Sequence, residues 1–132
     1  MSILNAEVIK IQSVDSLNII TFKSDESELS MMGLELLEGV CVGSKVSLFV
    51  KPMSVALAKD FSGMISYTNQ LSSKIKSIEE GKLLSSVKLL ACGNMIESII
   101  TTSSLKNMKL SVGDAVVCLI KANELSIIEV IK

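Results

Sequence analysis

Histidine, tryptophan and arginine are all missing from the 132-residue sequence, so its thirteen basic residues are lysines. Histidine is the commonest general base in enzymes and a frequent metal ligand, and its absence removes the usual basis for both kinds of site. The three cysteines, Cys41, Cys92 and Cys118, are an odd number without Cys-x-x-Cys spacing. No nucleophile stands beside a candidate base, and the carboxylates fall mostly in turns. The sequence therefore predicts neither an enzyme nor a metal-cation site.

Aromatic residues make up 3% of the chain, and the formal net charge is −1. Sites for single-stranded nucleic acid stack bases on aromatic side chains over a basic groove, so the composition argues against nucleic acid as a partner. No apolar run approaches the ~18 residues of a membrane-spanning helix, and the first residues lack the pattern of a signal peptide. Unpaired cysteines are typical of a reducing compartment. We expect a cytoplasmic protein without a membrane partner.

One short pattern occurs twice and organises the chain. Residues 42–53 and 112–123 each contain a glycine turn, an apolar strand and a lysine at its exit, and the two lysines, Lys51 and Lys121, lie seventy residues apart. Successive apolar positions are typical of a strand that is covered on both faces. A lysine at the exit of such a strand is held by rigid backbone and directs its charge beyond the strand end.

An earlier stretch is also repeated. Residues 11–15 (IQSVD) match residues 75–79 (IKSIE) sixty-four positions later, and in this register Ser2 corresponds to Ser66 and Asn5 to Asn69. The middle of the second half is then about six residues longer than that of the first. Two matched stretches in the same order predict an internal duplication, with repeats at residues 1–62 and 65–132.

Each repeat reads as about five short strands with one helical turn before the fourth. The helical turns are expected within residues 31–39 and between Thr101 and Met108, where Thr101 to Ser104 offer N-cap residues. This order predicts an all-β chain of two tandem OB-like small barrels, each with a short helical turn. A repeat of about 60 residues is only marginally stable alone, so we expect the repeats to pack on each other or on other subunits.

Hydroxyl groups, backbone amides and lysine remain as candidate ligand-binding groups. The second repeat has Ser66, Thr68 and Asn69 at the start of its first strand, hydroxyl residues 101–104 at a helix N-terminus, and Lys121. Helix N-termini present free N–H groups to anions, and these donors together suit a small tetrahedral oxyanion. The residues alone also allow a plainer interpretation, in which the hydroxyls cap a helix and the lysine is solvated.

The tandem repeats resemble the di-domain molbindins, small cytoplasmic molybdate-binding proteins built from Mop/TOBE domains. The resemblance covers nearly the whole chain and is stronger in the second repeat than in the first. The segments that carry the resemblance are residues 66–71 (SYTNQL), residues 100–104 (ITTSS) and the stretch from Val112-Gly113 to Lys121-Ala122. The resemblance implies an OB-like fold in each repeat, molybdate or tungstate as the bound ligand, and sites at subunit interfaces. Molbindins with two domains assemble as trimers, so a homotrimer is expected.

The family's ligand residues carry over to specific positions of the second repeat. A Ser-x-Arg-Asn segment corresponds to Ser66, Thr68 and Asn69, with Thr68 in place of the arginine. The threonine and serine of an Ile-Thr-x-x-Ser segment correspond to Thr101 and Ser104, and the Lys-Ala pair to Lys121 and Ala122. The missing arginine removes one charge and a bidentate fork, which would weaken affinity or shift the preference among oxyanions.

The first repeat keeps less of the pattern. Ser2, Asn5 and Lys51 are its weaker candidates; Leu4 stands at the arginine position, and Lys51 is followed by Pro52, which has no N–H to donate. We expect this repeat to be mainly structural or to contribute Lys51 alone. The leading hypothesis is cytoplasmic storage or homeostasis of molybdate or tungstate. The alternatives are an oxyanion-sensing module that acts on a DNA-binding or transporter partner, and a degenerate chain that only oligomerises.

Overall fold

Strands dominate the fold. The computed structural model describes residues 2–131. Within that range the strands are β1 Ser2–Val14, β2 Leu17–Ser24, β3 Ser27–Gly33, β4 Lys45–Val50, β5 Ala56–Ala58, β6 Asn69–Glu80, β7 Leu84–Ala91, β8 Asn94–Thr101, β9 Ala115–Ile120 and β10 Leu125–Ile131. One α-helix, α1 (Thr102–Asn107), and two 3-10 turns, Pro52–Ser54 and Ala122–Glu124, complete the described elements. The prediction of an all-β chain with OB-like barrels is confirmed.

The two sheets exchange their last strands. The first sheet has the order β10-β4-β1-β2-β3, and the second has the order β5-β9-β6-β7-β8. All ladders within the sheets are antiparallel. β5 comes from the first half of the sequence but pairs with β9, while β10 comes from the second half and pairs with β4. Each sheet is therefore completed by a strand from the other half, across the repeat boundary expected from the sequence.

Alternation of side chains explains how the long strands face the core. In β1, Leu4, Ala6 and Val8 are buried and their neighbours are exposed, as expected for a strand with one covered face. β9 differs, because Cys118, Leu119 and Ile120 are buried in succession, which confirms the prediction of a strand covered on both sides. Buried residues of both halves join one hydrophobic cluster.

The structure corrects the register of the duplication. Ser2 lies opposite Val50 in the β1–β4 ladder, and Asn69 lies opposite Ile120 in the β6–β9 ladder. Val50 and Ile120 both precede the repeated lysine, so the structural counterpart of Ser2 is Asn69, sixty-seven residues later (69 minus 2). The sequence-based pairing of Ser2 with Ser66 and of Asn5 with Asn69, at sixty-four residues, is wrong. That pairing was based on the similarity of residues 11–15 to residues 75–79, near the ends of β1 and β6. The side chains there are mostly exposed, so packing places few constraints on their identity.

The same offset of sixty-seven holds for the second and third strands. Leu17–Ser24 corresponds to Leu84–Ala91, and both hairpins keep the equivalent pairs. Because the repeated lysines are seventy residues apart, the second half is longer by three residues rather than six. The additional residues lie where α1 forms.

The helical turn expected within residues 31–39 is absent. Met31 and Met32 belong to β3 and pair with Ile20 and Ile19, and the chain from residue 34 to residue 40 forms no helix. In the second half, Thr101 caps α1, since its side chain accepts a hydrogen bond from the backbone N–H of Ser104. Leucine occupies position 34, the structural counterpart of Thr101, and offers no such cap. The β2–β3 ladder and the missing cap together explain the difference.

Both ends of α1 are fastened to the sheet. At the N-terminal end, the buried Thr102 hydroxyl donates to the backbone carbonyl of Gly81 at 2.9 Å and lies 2.8 Å from the Ser85 hydroxyl. At the C-terminal end, the Lys59 ammonium donates to the carbonyls of Met108 and Lys109 at 3.1 and 2.9 Å. These contacts fix the position of the hydroxyls at the start of α1.

Lys59 also bonds to the segment that leads into β9. Its ammonium lies 3.1 Å from Oδ2 of Asp114, which also accepts the backbone N–H of Ser111 at 2.9 Å. The Ser111 N–H, followed by Lys59, lowers the pKa of Asp114 below its ordinary value. The segment between the halves is thereby tied to the turn that starts β9.

Candidate functional site

A cavity of about 300 Å³ lies where the start of the second repeat meets the exit of β9. Four predicted site residues line it, namely Ser66, Thr68, Lys121 and Ala122. The remaining lining residues are Ile19, Ser30, Met32 and Asn123. The cavity thus combines residues of the second half with a wall from β2 and β3 of the first half.

The β6–β9 ladder explains why two distant segments of the sequence meet here. Asn69 pairs with Ile120, so the residue before Asn69 and the residue after Ile120 lie side by side at the end of the ladder. These two residues are Thr68 and Lys121. Ile120 is fully buried, and its packing fixes the backbone from which Lys121 leaves the strand. The 3-10 turn then begins, with the N–H of Glu124 donating to the carbonyl of Lys121 at 2.9 Å.

Lys121 carries a positive charge that is available to a ligand. Its side chain is exposed and forms no ion pair or hydrogen bond with any residue between positions 2 and 131. Glu124 lines an adjoining cavity together with Lys121 and Tyr67, but its carboxylate accepts a hydrogen bond from the Ser54 hydroxyl at 2.9 Å. A lysine without an internal partner is suited to bind an external anion.

The Asn69 side chain connects the two halves of the chain. Its side chain is fully buried; Oδ1 accepts the backbone N–H of Ser30 at 2.7 Å, and Nδ2 donates to the carbonyl of Ser30 at 2.9 Å. The side chain therefore substitutes for a strand neighbour at one residue of β3. Asn69 does not line the cavity, but it fixes the backbone of Ser30, which does.

Thr101 and Ser104 lie at the start of α1 and are not among the residues that line the cavity. The Thr101 hydroxyl donates to the Ser104 hydroxyl at 2.9 Å and accepts the Ser104 backbone N–H at 3.1 Å. The predicted N-cap is thus present. Within one chain, the structure does not bring these hydroxyls to the cavity that contains Lys121.

The weaker candidates of the first half, Ser2, Asn5 and Lys51, also lie outside the cavity at Lys121. The buried Ser2 hydroxyl accepts the backbone N–H of Glu97 at 2.7 Å, and Oδ1 of the exposed Asn5 accepts the Ser47 hydroxyl at 3.3 Å. Lys51 is exposed and precedes the 3-10 turn that starts with Pro52. None of the three lines the cavity at Lys121.

A larger groove, of about 410 Å³, adjoins this cavity at Met32 and Asn123 and lies between residues 31–38 and the start of β10. Its charged lining residues are Glu35 and Glu38, and the rest are mostly apolar. Two carboxylates and no lysine disfavour an anion, so we place the candidate site at the smaller cavity on chemical grounds.

The cysteines offer no reactive thiol cluster. All three are free, with Cys41 exposed, Cys92 half-buried and Cys118 buried. Burial raises the pKa of Cys92, and it raises that of Cys118 to about 12, so both thiols stay protonated at neutral pH. In residues 2–131, no three His, Cys, Asp or Glu side chains are grouped so as to hold a metal ion.

Sequence reasoning missed the wall of the cavity that comes from the first half. Ser30, Ile19 and Met32 reach the site because Asn69 and the exchanged strands place the halves together. Ser30 and Asn69 are thirty-nine residues apart, and no local pattern in the sequence marks their contact. Asn123 was missed as well, although it directly follows the predicted Lys121-Ala122 pair.

Comparisons with known proteins identify the fold. Residues 65–127 match the family described as the TOBE domain, and a search of curated proteins returns no match. The whole chain is similar in structure to a crystal form, with molybdate bound, of the cytoplasmic molybdate-binding protein ModG. The TM-score is 0.87 at 23% sequence identity, over 95% of this chain and 93% of that chain. No helix within the described residues is both long and apolar enough to span a membrane. The comparisons thus show that residues 65–127 are similar to the TOBE domain and that the whole chain has the fold of ModG.

Proposed function

We propose that the protein is a cytoplasmic molybdate- or tungstate-binding protein that stores the oxyanion or maintains its concentration. The observation that carries the proposal is the cavity in which Ser66, Thr68, Lys121 and Ala122 come together. The fold of ModG, a protein that binds molybdate in the cytoplasm, supports it independently. The binding chemistry requires hydrogen-bond donors and one positive charge, and no catalytic group.

The oxyanion lies against the end of β9 in this proposal. Lys121 supplies the charge, and the hydroxyls of Ser66 and Thr68, with backbone N–H groups near Ala122, supply further donors. Charge-assisted hydrogen bonds contribute roughly 1.5–3 kcal/mol each, and five or six give about 10 kcal/mol before association costs. Micromolar binding requires about 8 kcal/mol after those costs, so the site needs most of these donors to act together.

Thr101 and Ser104 contribute from a second copy of the chain. Within one chain they lie outside the cavity, and we propose that a homotrimer brings the start of α1 of one copy to the Lys121 cavity of another. Exposed apolar side chains at Leu34, Leu36, Leu37 and Val42 support oligomerisation, since such patches are typical of interaction surfaces. Sedimentation equilibrium of the purified chain tests the assembly, and a monomer at micromolar concentration would exclude it.

Isothermal titration of the full chain with molybdate, tungstate and sulfate tests the proposed function. We expect saturable binding of molybdate or tungstate in the micromolar range or tighter, with sulfate silent. A folded protein, shown to carry no bound molybdenum or tungsten, that gives no heat at millimolar oxyanion would refute the proposal. Several oxyanions per oligomer favour storage, whereas few sites together with a loading-dependent affinity for a DNA-binding or transporter partner favour sensing.

A further inference from the structure

Ser30 has an unused hydroxyl in the wall of the cavity. Its backbone N–H and carbonyl are both held by Asn69, at 2.7 and 2.9 Å. Its hydroxyl, in contrast, has no hydrogen-bond partner among residues 2–131. The side chain is half-buried and lines the same cavity as Lys121. A fixed backbone and an unpaired hydroxyl are what a ligand-contacting residue requires.

The other half of the chain has a glutamate at the same place. In the register of sixty-seven residues, Ser30 corresponds to Glu97 (97 minus 30), and Ile19 corresponds to Ser86. The backbone contacts agree, because Ser2 accepts the N–H of Glu97 just as Asn69 accepts the N–H of Ser30. The two walls are therefore equivalent in backbone position but differ in charge.

A hydrogen bond stabilises the charged form of the Glu97 carboxyl. The Ser86 hydroxyl donates to Oε2 of Glu97 at 2.5 Å, and this hydrogen bond is the main cause that lowers the pKa of the carboxyl. The 3-10 turn after Lys51 packs against β8, which carries Glu97, as the turn after Lys121 packs against β3, which carries Ser30. The Ser30 side chain lines the cavity at Lys121, whereas the Glu97 carboxylate at the equivalent position of β8 is already bonded within the chain.

We propose that a hydroxyl rather than a carboxylate at the position of Ser30 allows the second-half cavity to bind the oxyanion. In the second-half cavity, the Ser30 hydroxyl donates a hydrogen bond to the oxyanion held by Lys121. The inference rests on the proposed function, and it assigns a specificity-determining residue from the first half to a site whose charge comes from the second.

A pair of substitutions of equal size separates charge from shape. Ser30→Glu installs the residue of the other half, and Ser30→Gln adds nearly the same volume without the charge. By titration of the full chain with molybdate, we expect Ser30→Ala to bind about tenfold more weakly, consistent with the loss of one hydrogen bond to a charged group. We expect Ser30→Glu to bind at least a hundredfold more weakly than wild type, and also more weakly than Ser30→Gln.

A control variant excludes a general effect of the added charge. Ser72→Glu places a carboxylate at an exposed position of β6 that does not line the cavity, and it should bind molybdate like the wild type. Thermal melting of every variant should stay close to wild type, because Asn69 holds the backbone of position 30 rather than its hydroxyl.

Three outcomes overturn the inference. Wild-type affinity in both Ser30→Ala and Ser30→Glu would show that the hydroxyl does not contact the ligand, while leaving the proposed function intact. Equal affinities of Ser30→Glu and Ser30→Gln would show that charge at this position is irrelevant. No binding of molybdate, tungstate or sulfate to the wild-type chain would overturn the proposed function and this inference together.

Discussion

The contact between Asn69 and Ser30 predicts a large loss of stability for Asn69→Ala. The Asn69 side chain is fully buried and provides both hydrogen-bond partners of the Ser30 backbone, at 2.7 and 2.9 Å. Alanine removes both partners at once and leaves an N–H and a carbonyl unpaired at the contact between the halves. An unsatisfied buried group costs about 1–3 kcal/mol, so we expect a loss of about 2–5 kcal/mol. For a chain of this length that corresponds to roughly 10 °C in Tm.

The corrected register supplies the comparison variants. Asn5→Ala removes one 3.3 Å contact at an exposed residue, and surface changes of this kind stay within about 0.5 kcal/mol. Ser2→Ala removes the acceptor for the Glu97 N–H and should cost about 1–2 kcal/mol. If the sequence-based register were right, Asn5 rather than Ser2 would behave like Asn69.

Urea denaturation followed by circular dichroism, at one fixed protein concentration, measures these differences. The concentration is held constant because assembly shifts apparent stability by mass action. A loss below about 1 kcal/mol for Asn69→Ala would refute the reasoning, since it would mean that the backbone of Ser30 finds other partners without cost. Equal losses for Asn69→Ala and Asn5→Ala would contradict the corrected register.

Three further predictions concern binding, backbone geometry and thiol reactivity. Lys121→Met should weaken molybdate binding about 10- to 100-fold, since a charge-assisted hydrogen bond contributes roughly 1.5–3 kcal/mol, whereas Lys51→Met should change it less than threefold; equal losses in calorimetry would contradict this assignment. Gly81→Ala should lower the free energy of unfolding, measured by urea denaturation, by about 1–3 kcal/mol, because a Cβ there would overlap the backbone carbonyl oxygen of Leu84, while Gly33→Ala, with its nearest atom at 4.0 Å, should change stability much less. Cys118, whose pKa is raised to about 12, has a thiolate fraction on the order of 10⁻⁴ at pH 8; it should react with Ellman's reagent only after denaturant is added, and rapid labelling of all three thiols in the folded protein would contradict its burial.

Much of the fold could be predicted from sequence because its signals are local. The alternation of apolar residues in β1 and the apolar run in β9 gave the strands and their faces. The Cys92–Gly93 turn has positive φ at both residues, 52° and 71°, as a two-residue hairpin requires, and the sequence places a glycine there. The strand exchange could not be predicted, since β5 and β10 pair with strands of the opposite half and no local pattern encodes that choice.

The candidate site could likewise be predicted only in part from the sequence. Lys121 and Ala122 follow β9, and Ser66 and Thr68 precede β6, so their proximity follows from the pairing of these two strands. Ser30 belongs to the first half. It is held at the cavity by the Asn69 side chain, which bonds to its backbone as a neighbouring strand would. Such a contact depends on three-dimensional packing, which a single sequence does not record.

Because the two sheets exchange strands, a substitution in one half can affect a site in the other half. If each repeat folded alone, loss of ligand groups in the first repeat would affect only the first repeat. Here β3 of the first half forms the wall beside Lys121, and β8 of the second half packs against the turn beyond Lys51. Each half therefore packs against the turn that follows the lysine of the other half. If the cavity at Lys121 binds the oxyanion as proposed, the first half is required for that site through Ser30, even without an anion site of its own.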